Sequence, residues 1–224
     1  MRKLDKLRKH MKKYNISAVV VPTADMHLSE YISDHYKLRE YLSGFTGSAG
    51  TLVVTVDDAG LWTDGRYYIQ AERELSGSGV TLFRASEKDC VKIHDYLKQK
   101  LTENDTVGLD GRLFSKKYLD EFIAKLDGIC VNTDYDASSV WENRPAEPLE
   151  KAFVLDEKYS GESLEEKVCK VRDLMKKDGF THYITGSPEN IMWLLNIRGN
   201  DVKHTPVMLS YLVMSQSEIF LYAP

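Results

Sequence analysis

The stretch KLDKLRKHMKKYNI, from Lys3 to Ile16, returns later in the chain as KVCKVRDLMKKDGF, from Lys167 to Phe180, with Lys, Lys, Arg, Met, Lys and Lys in matching places. In the first copy Leu4, Leu7, Met11 and Tyr14 recur at helical spacing among basic residues, which predicts an amphipathic helix over about 3–14. A short apolar strand follows each helix, Ala18 to Val21 and then His182 to Thr185. A proline, a polar turn, a glycine and a further strand pair come next in both copies. Self-similarity of this order predicts two related structural units.

The first copy runs on. Thr51 to Val56 and Leu61 to Thr63 read as a hairpin around Asp57-Asp58-Ala59-Gly60, followed by a helix from Tyr67 to Leu75 and a strand from Val80 to Phe83. A helix from Val91 to Leu101, a strand from Thr106 to Leu109, a helix from Ser115 and a strand from Ile129 to Val131 complete it. That last helix is expected to turn Tyr118, Leu119, Phe122, Ile123 and Leu126 inward and to end on Gly128. Strands alternating with helices predict an α/β fold, its sheet made mixed by the hairpin and flanked by helices. The domain expectation is a first unit over 1–137, a linker over 138–158 stiffened by Pro145 and Pro148, and an incomplete second unit over 159–224. Pro224 corresponds roughly to Asp64 of the first copy, so the chain is expected to be the front part of a longer polypeptide.

Composition excludes several classes. A net charge of −4 gives no reason to expect nucleic acid or an anionic membrane as partner. No apolar run is long enough for a signal peptide or a membrane span. Cys90, Cys130 and Cys169 lack paired spacing and are read as small buried hydrophobes in a reducing compartment, which points to the cytoplasm. The six histidines are scattered and no C-x-x-C occurs, so no metal site is expected in this segment. Gly44, Gly47 and Gly50 precede a strand rather than a helix, the wrong context for a phosphate cradle.

Asp64-Gly65-Arg66 has two readings. Asp64 caps the following helix and Arg66 is merely solvated, or the glycine lets the turn project a guanidinium fork toward a peptide carboxylate or carbonyl. Glu30, in a short helix or turn after Pro22, reads as a solvated surface acid. Trp62, Trp141 and Trp193 are read as core or interface aromatics.

MHLSEYI at Met26 to Ile32, SGFTGSAGT at Ser43 to Thr51, LWTDGRYYIQAE at Leu61 to Glu72, VWENRPAEP at Val140 to Pro148 and NIMWLLNIRGNDVKHTPV at Asn190 to Val207 together resemble, in order, the landmarks of three-domain Xaa-Pro aminopeptidase, or aminopeptidase P. The resemblance implies two creatinase-type N-terminal domains, the second cut short here, ahead of a catalytic domain that holds a dinuclear metal site, manganese or else zinc or cobalt. It implies no cofactor in this segment, a homodimer, the chain's own catalytic domain as partner, and a peptide substrate with proline in second position. By the same resemblance Arg66 reaches peptide, Glu30 meets the substrate's ammonium or a neighbouring basic group with His27 and Tyr31 in support, and Asp64, Arg198, Asn200, Asp201 and His204 line the cleft or latch domains together. Two alternatives stay open: a free-standing binding module that kept the fold without the enzyme, and a creatinase- or prolidase-type hydrolase.

Overall fold

A computed structural model describes residues 3–223; Met1 and Arg2, where the first predicted unit begins, and Pro224, where the second copy stops, lie outside the described residues. The chain divides into two compact units, one formed by Met1–Glu30 and His35–Pro145, the other by Tyr31–Asp34 and Ala146–Pro224.

The first unit opens with α1 (Lys3–Lys13), which buries Leu4, Leu7 and Met11. Then come β1 (Ala18–Pro22), α2 (Leu38–Ser43), β2 (Thr51–Thr55), β3 (Ala59–Thr63), α3 (Tyr68–Glu74), β4 (Thr81–Arg84), α4 (Ile93–Lys100), β5 (Thr106–Gly108), α5 (Lys116–Leu126) and β6 (Cys130–Asn132). They make one mixed six-stranded sheet in the order β4-β3-β2-β1-β5-β6. β1 sits inside it because Ala-Val-Val-Val is apolar on both faces, pairing antiparallel with β2 and parallel with β5. Alternation sorts the side chains: Val19, Val21, Leu52, Val54 and Leu61 pack in one cluster with Leu4, Leu7 and Leu42. Ala18, Val20, Val53 and Trp62 pack on the other face with Leu97 and Phe122.

Several details differ from the sequence reading. On α5 the buried stripe is narrower than predicted: Phe122 and Leu126 are buried, whereas Tyr118 and Ile123, which flank them, are 42% and 41% exposed. Asp127 takes the left-handed position that ends α5, with φ 44°, ahead of Gly128; aspartate tolerates that conformation. Ala59 and Gly60 belong to β3, not to the turn, and Gly60 lies where a Cβ would stand 2.5 Å from the Phe83 ring. Cys130 and Cys169 are exposed and Cys90 partly so, which corrects the expectation of buried thiols.

The second unit contains β7 (Phe153–Val154), α6 (Glu157–Ser160), α7 (Leu164–Lys177), β8 (His182–Thr185), α8 (Pro188–Leu195), β9 (Ile197–Arg198), β10 (Tyr211–Ser215) and β11 (Ile219–Tyr222). Its antiparallel sheet β11-β10-β8 reproduces the local order β3-β2-β1. Ser163 and Glu166 form a capping box that starts α7. Lys167, the counterpart of Lys3 in the repeat, is fully buried, and its Nζ donates to the Trp193 carbonyl and to Asn196 Oδ1. Residues 138–140 of a 3-10 helix over Ala137–Val140, and the strand β7, which pairs with β9, fall within the residues read as a linker.

Candidate functional site

A groove of about 620 Å³ opens in the first unit at the end of the sheet where β1 and β3 finish and β2 begins. That volume lies in the range of small-ligand clefts, and the carboxyl ends of strands are where open α/β sheets place ligands. Glu30, Asp64 and Arg66 all line it.

Asp64 follows β3 in extended conformation and its carboxylate accepts the Arg66 backbone N–H, capping the 3-10 helix Gly65–Tyr67. The same carboxylate takes the Arg66 side chain edge-on, Nε to Oδ1 at 2.9 Å and Nη2 to Oδ2 at 2.9 Å. This pairing holds the Asp64 carboxyl below the usual carboxylate range. It also holds Arg66 more firmly charged than a free arginine, with Glu30 adding a smaller contribution. A guanidinium has two forks, and only the Nε side is occupied by Asp64, so the end-on pair of nitrogens remains for a second acceptor. The Arg66 side chain is 65% exposed, which leaves that fork accessible.

The clamp itself is not diagnostic, because the chain contains it twice. Asp110-Gly111-Arg112 after β5 makes the same turn, with Asp110 accepting the Arg112 backbone N–H and clasping Nε and Nη2 at 2.9 and 2.7 Å. Asp134 and Asp136 surround that second clamp, however, whereas Arg66 opens on a groove with Glu30. Local sequence sets the clamp; the groove sets what it can meet.

The glycine-bearing loop 44–50 forms one wall and is held through both kinds of backbone group. The carbonyls of Phe45 and Gly47 accept from Arg39, that of Ala49 from the Thr63 hydroxyl and that of Gly50 from Thr23, while the Thr46 N–H donates to Glu74 Oε2. Arg39 is only 4% exposed, and burial pulls its pKa down to about 10. Nothing in the local sequence marks this arginine; its Nε donates to Thr23 Oγ1 at 3.0 Å, tying α2 to the end of β1. Gly44 ends α2 in the left-handed region, φ 78°. Asp25, fully buried, fixes the next segment by accepting the backbone N–H groups of His27 and Ser29. His27 is half-buried and stands outside the groove wall.

In the second unit Arg198 Nη1 donates to the carbonyls of Met192 and Ile197. Asp201 is buried and accepts the backbone N–H groups of Glu150 and Leu209, shaping the loop, while Asn200 and His204 are exposed on it. Among the described residues no three His, Cys, Asp or Glu side chains converge to hold a metal ion, and no helix is long and apolar enough to cross a membrane.

The creatinase/prolidase N-terminal domain profile matches residues 3–143, and a second profile of that description matches 143–224. The chain belongs to the creatinase/prolidase N-terminal domain family. Within it, the resemblance to aminopeptidase P is borne out: this creatinase-type chain is 38% identical to Xaa-Pro aminopeptidase 1 of Dictyostelium discoideum over 99% of its length and 37% of that protein. It is 38% identical to aminopeptidase P2 of Arabidopsis thaliana, over 92% of the chain and 30% of that protein. Among solved structures it is similar to an X-prolyl aminopeptidase of Caenorhabditis elegans, described as a cytosolic enzyme with a di-nuclear active site, at a TM-score of 0.89 and 29% identity over all of this chain and 39% of that one. The chain thus spans about a third of the length of the relatives it matches, 30% to 39%.

Proposed function

We propose that this chain is the non-catalytic N-terminal portion of a metal-dependent Xaa-Pro aminopeptidase, an enzyme that removes the residue ahead of a proline in second position. The observation that carries the reading is the open fork of Arg66 on the groove, in a chain that Xaa-Pro aminopeptidases match along nearly its whole length. Arg66, paired with Asp64 and still charged, is suited to a peptide carbonyl or carboxylate, and Glu30 to the substrate's ammonium or a neighbouring basic group. His27 and Asp25 keep the Glu30 segment in place. Asp201 and Arg198 shape, and Asn200 and His204 present, a loop that walls the cleft or latches the catalytic domain. The hydrolytic metal pair, manganese or else zinc or cobalt, is assigned to a catalytic domain outside this chain, a reading supported by the C. elegans relative, described as having a di-nuclear active site. A homodimer and a cytoplasmic location complete the reading, the latter supported by the cytosolic C. elegans enzyme.

The test is Arg66→Ala in the full-length protein. A lost hydrogen bond to a charged group costs about 1.5–3 kcal/mol, so kcat/KM for Xaa-Pro peptides should fall roughly 10- to 150-fold with the melting temperature held. Unchanged kinetics would remove Arg66 from substrate binding.

A further inference from the structure

The groove has a second pole that the reading above leaves unused. α5 contributes Tyr118, Phe122 and Lys125 to its wall, at spacings of four and three residues, so the three lie on one stripe of the helix. At 1.5 Å per residue that stripe is about 10 Å long, the reach of roughly three residues of extended peptide. The start of α4 contributes Lys92 and His94. Lys92 occupies the N-cap position and has no side-chain acceptor to offer, so the first N–H groups of the helix are left uncapped.

Lys92 and Lys125 make no ion pair among the described residues, in contrast to Lys98, Lys100 and Lys116 nearby in sequence, each of which holds an aspartate. Lys92 and Lys125 are both exposed and line the groove together with His94. The His94 imidazole has its affinity for a proton lowered by burial first, and then, against the opposing pull of Asp95, by Lys125, Lys98 and Lys92. An aromatic wall ending in two unpaired ammonium groups beside an uncapped helix start is a site for a chain that is apolar or extended along its length and anionic at its far end.

We propose that Lys92, Lys125 and the start of α4 form a distal subsite for a carboxylate on the substrate peptide, with Tyr118 and Phe122 as the floor between that carboxylate and the Arg66 end. The proposal rests on the peptide-binding reading of Arg66 and Glu30. It makes this unit a selector for longer peptides that carry a negative charge beyond the proline.

The experiment uses the full-length enzyme and Xaa-Pro peptides of increasing length, each as the free acid, as the C-terminal amide, and as the amide with one internal glutamate. In the wild type the free acid of a longer peptide should show a KM roughly two- to tenfold below that of its amide, a difference that shrinks at high salt. In the Lys92→Gln, Lys125→Gln double variant that ratio should fall toward one, and Lys125→Glu should reverse it. A glutamate that restores tight binding to the amide assigns the subsite to side-chain carboxylates as well as to the terminal one. A free-acid to amide ratio equal in wild type and both variants at every length overturns the proposal. Failure of the underlying reading is distinct: Arg66→Ala would then leave short peptides untouched while the lysine variants still alter the long ones.

Discussion

Replacing Arg39 by methionine removes a buried guanidinium while keeping an unbranched stem in its place. Phe45 and Gly47 are both buried, and their carbonyls lose their arginine donors. A buried acceptor left without a partner costs about 1–3 kcal/mol, so the two together cost about 2–6 kcal/mol. Against this stands the relief of an unfavourable burial, the same burial that pulls the Arg39 pKa down to about 10. The net expectation is a loss of about 2–4 kcal/mol, which for a unit of this size lowers the melting temperature by roughly 4–16 °C. Thermal unfolding measures the total, and amide hydrogen exchange shows where it falls. Exchange should accelerate first in loop 44–50, since Arg39 on α2 holds two of its carbonyls. Arg39→Lys, which restores the charge with a single donor group, should fall between the two. A methionine variant that melts within about 2 °C of the wild type, with loop exchange unaltered, would refute the idea that the loop hangs on this side chain.

Gly60→Ala should destabilise the first unit by about 1–3 kcal/mol, because the added methyl meets Phe83 and Trp62, rings stacked at 4.0 Å with little room to part; a normal melting curve would show that the stack yields freely. Stability should also fall on acidification through the histidine range. Burial depresses the folded pKa of both His10 and His94 below the ordinary 6.5, so the unfolded chain takes up these protons first. Their contribution is complete above 6.5 and is lost as pH falls from there through the lower folded values. Melting temperatures measured from about pH 7.5 to about pH 5 test this, and a slope that persists unchanged in a His10→Gln, His94→Gln variant would assign it to other groups.

Much of the fold was legible because long apolar periodicities are hard to misplace. α1 and β1 fall within a residue of their predicted bounds, and the repeat foresaw that β8, β10 and β11 would copy β1, β2 and β3. What escaped were elements too short to carry a period, such as α2, six residues long with no side-chain N-cap, and the β7–β9 pairing. The groove was half legible. Glu30, Asp64 and Arg66 sit in motifs that draw the eye, and the second Asp-Gly-Arg was there to be noticed. Lys92, His94 and Lys125 carry no local signature, since only the packing of α4 against α5 brings the three together. Arg39 looks like any basic residue on an amphipathic helix until the loop is seen folded over it.

The double clasp between Asp64 and Arg66 also decides when the arginine becomes ordered. A free arginine carries about 2 kcal/mol of rotamer entropy, normally surrendered at the moment a ligand is gripped. In this chain the pairing with Asp64 restricts that freedom before any ligand arrives. Under the proposed role, binding through Arg66 would then require less ordering of the protein, and the carboxylate would contribute to affinity without touching the ligand.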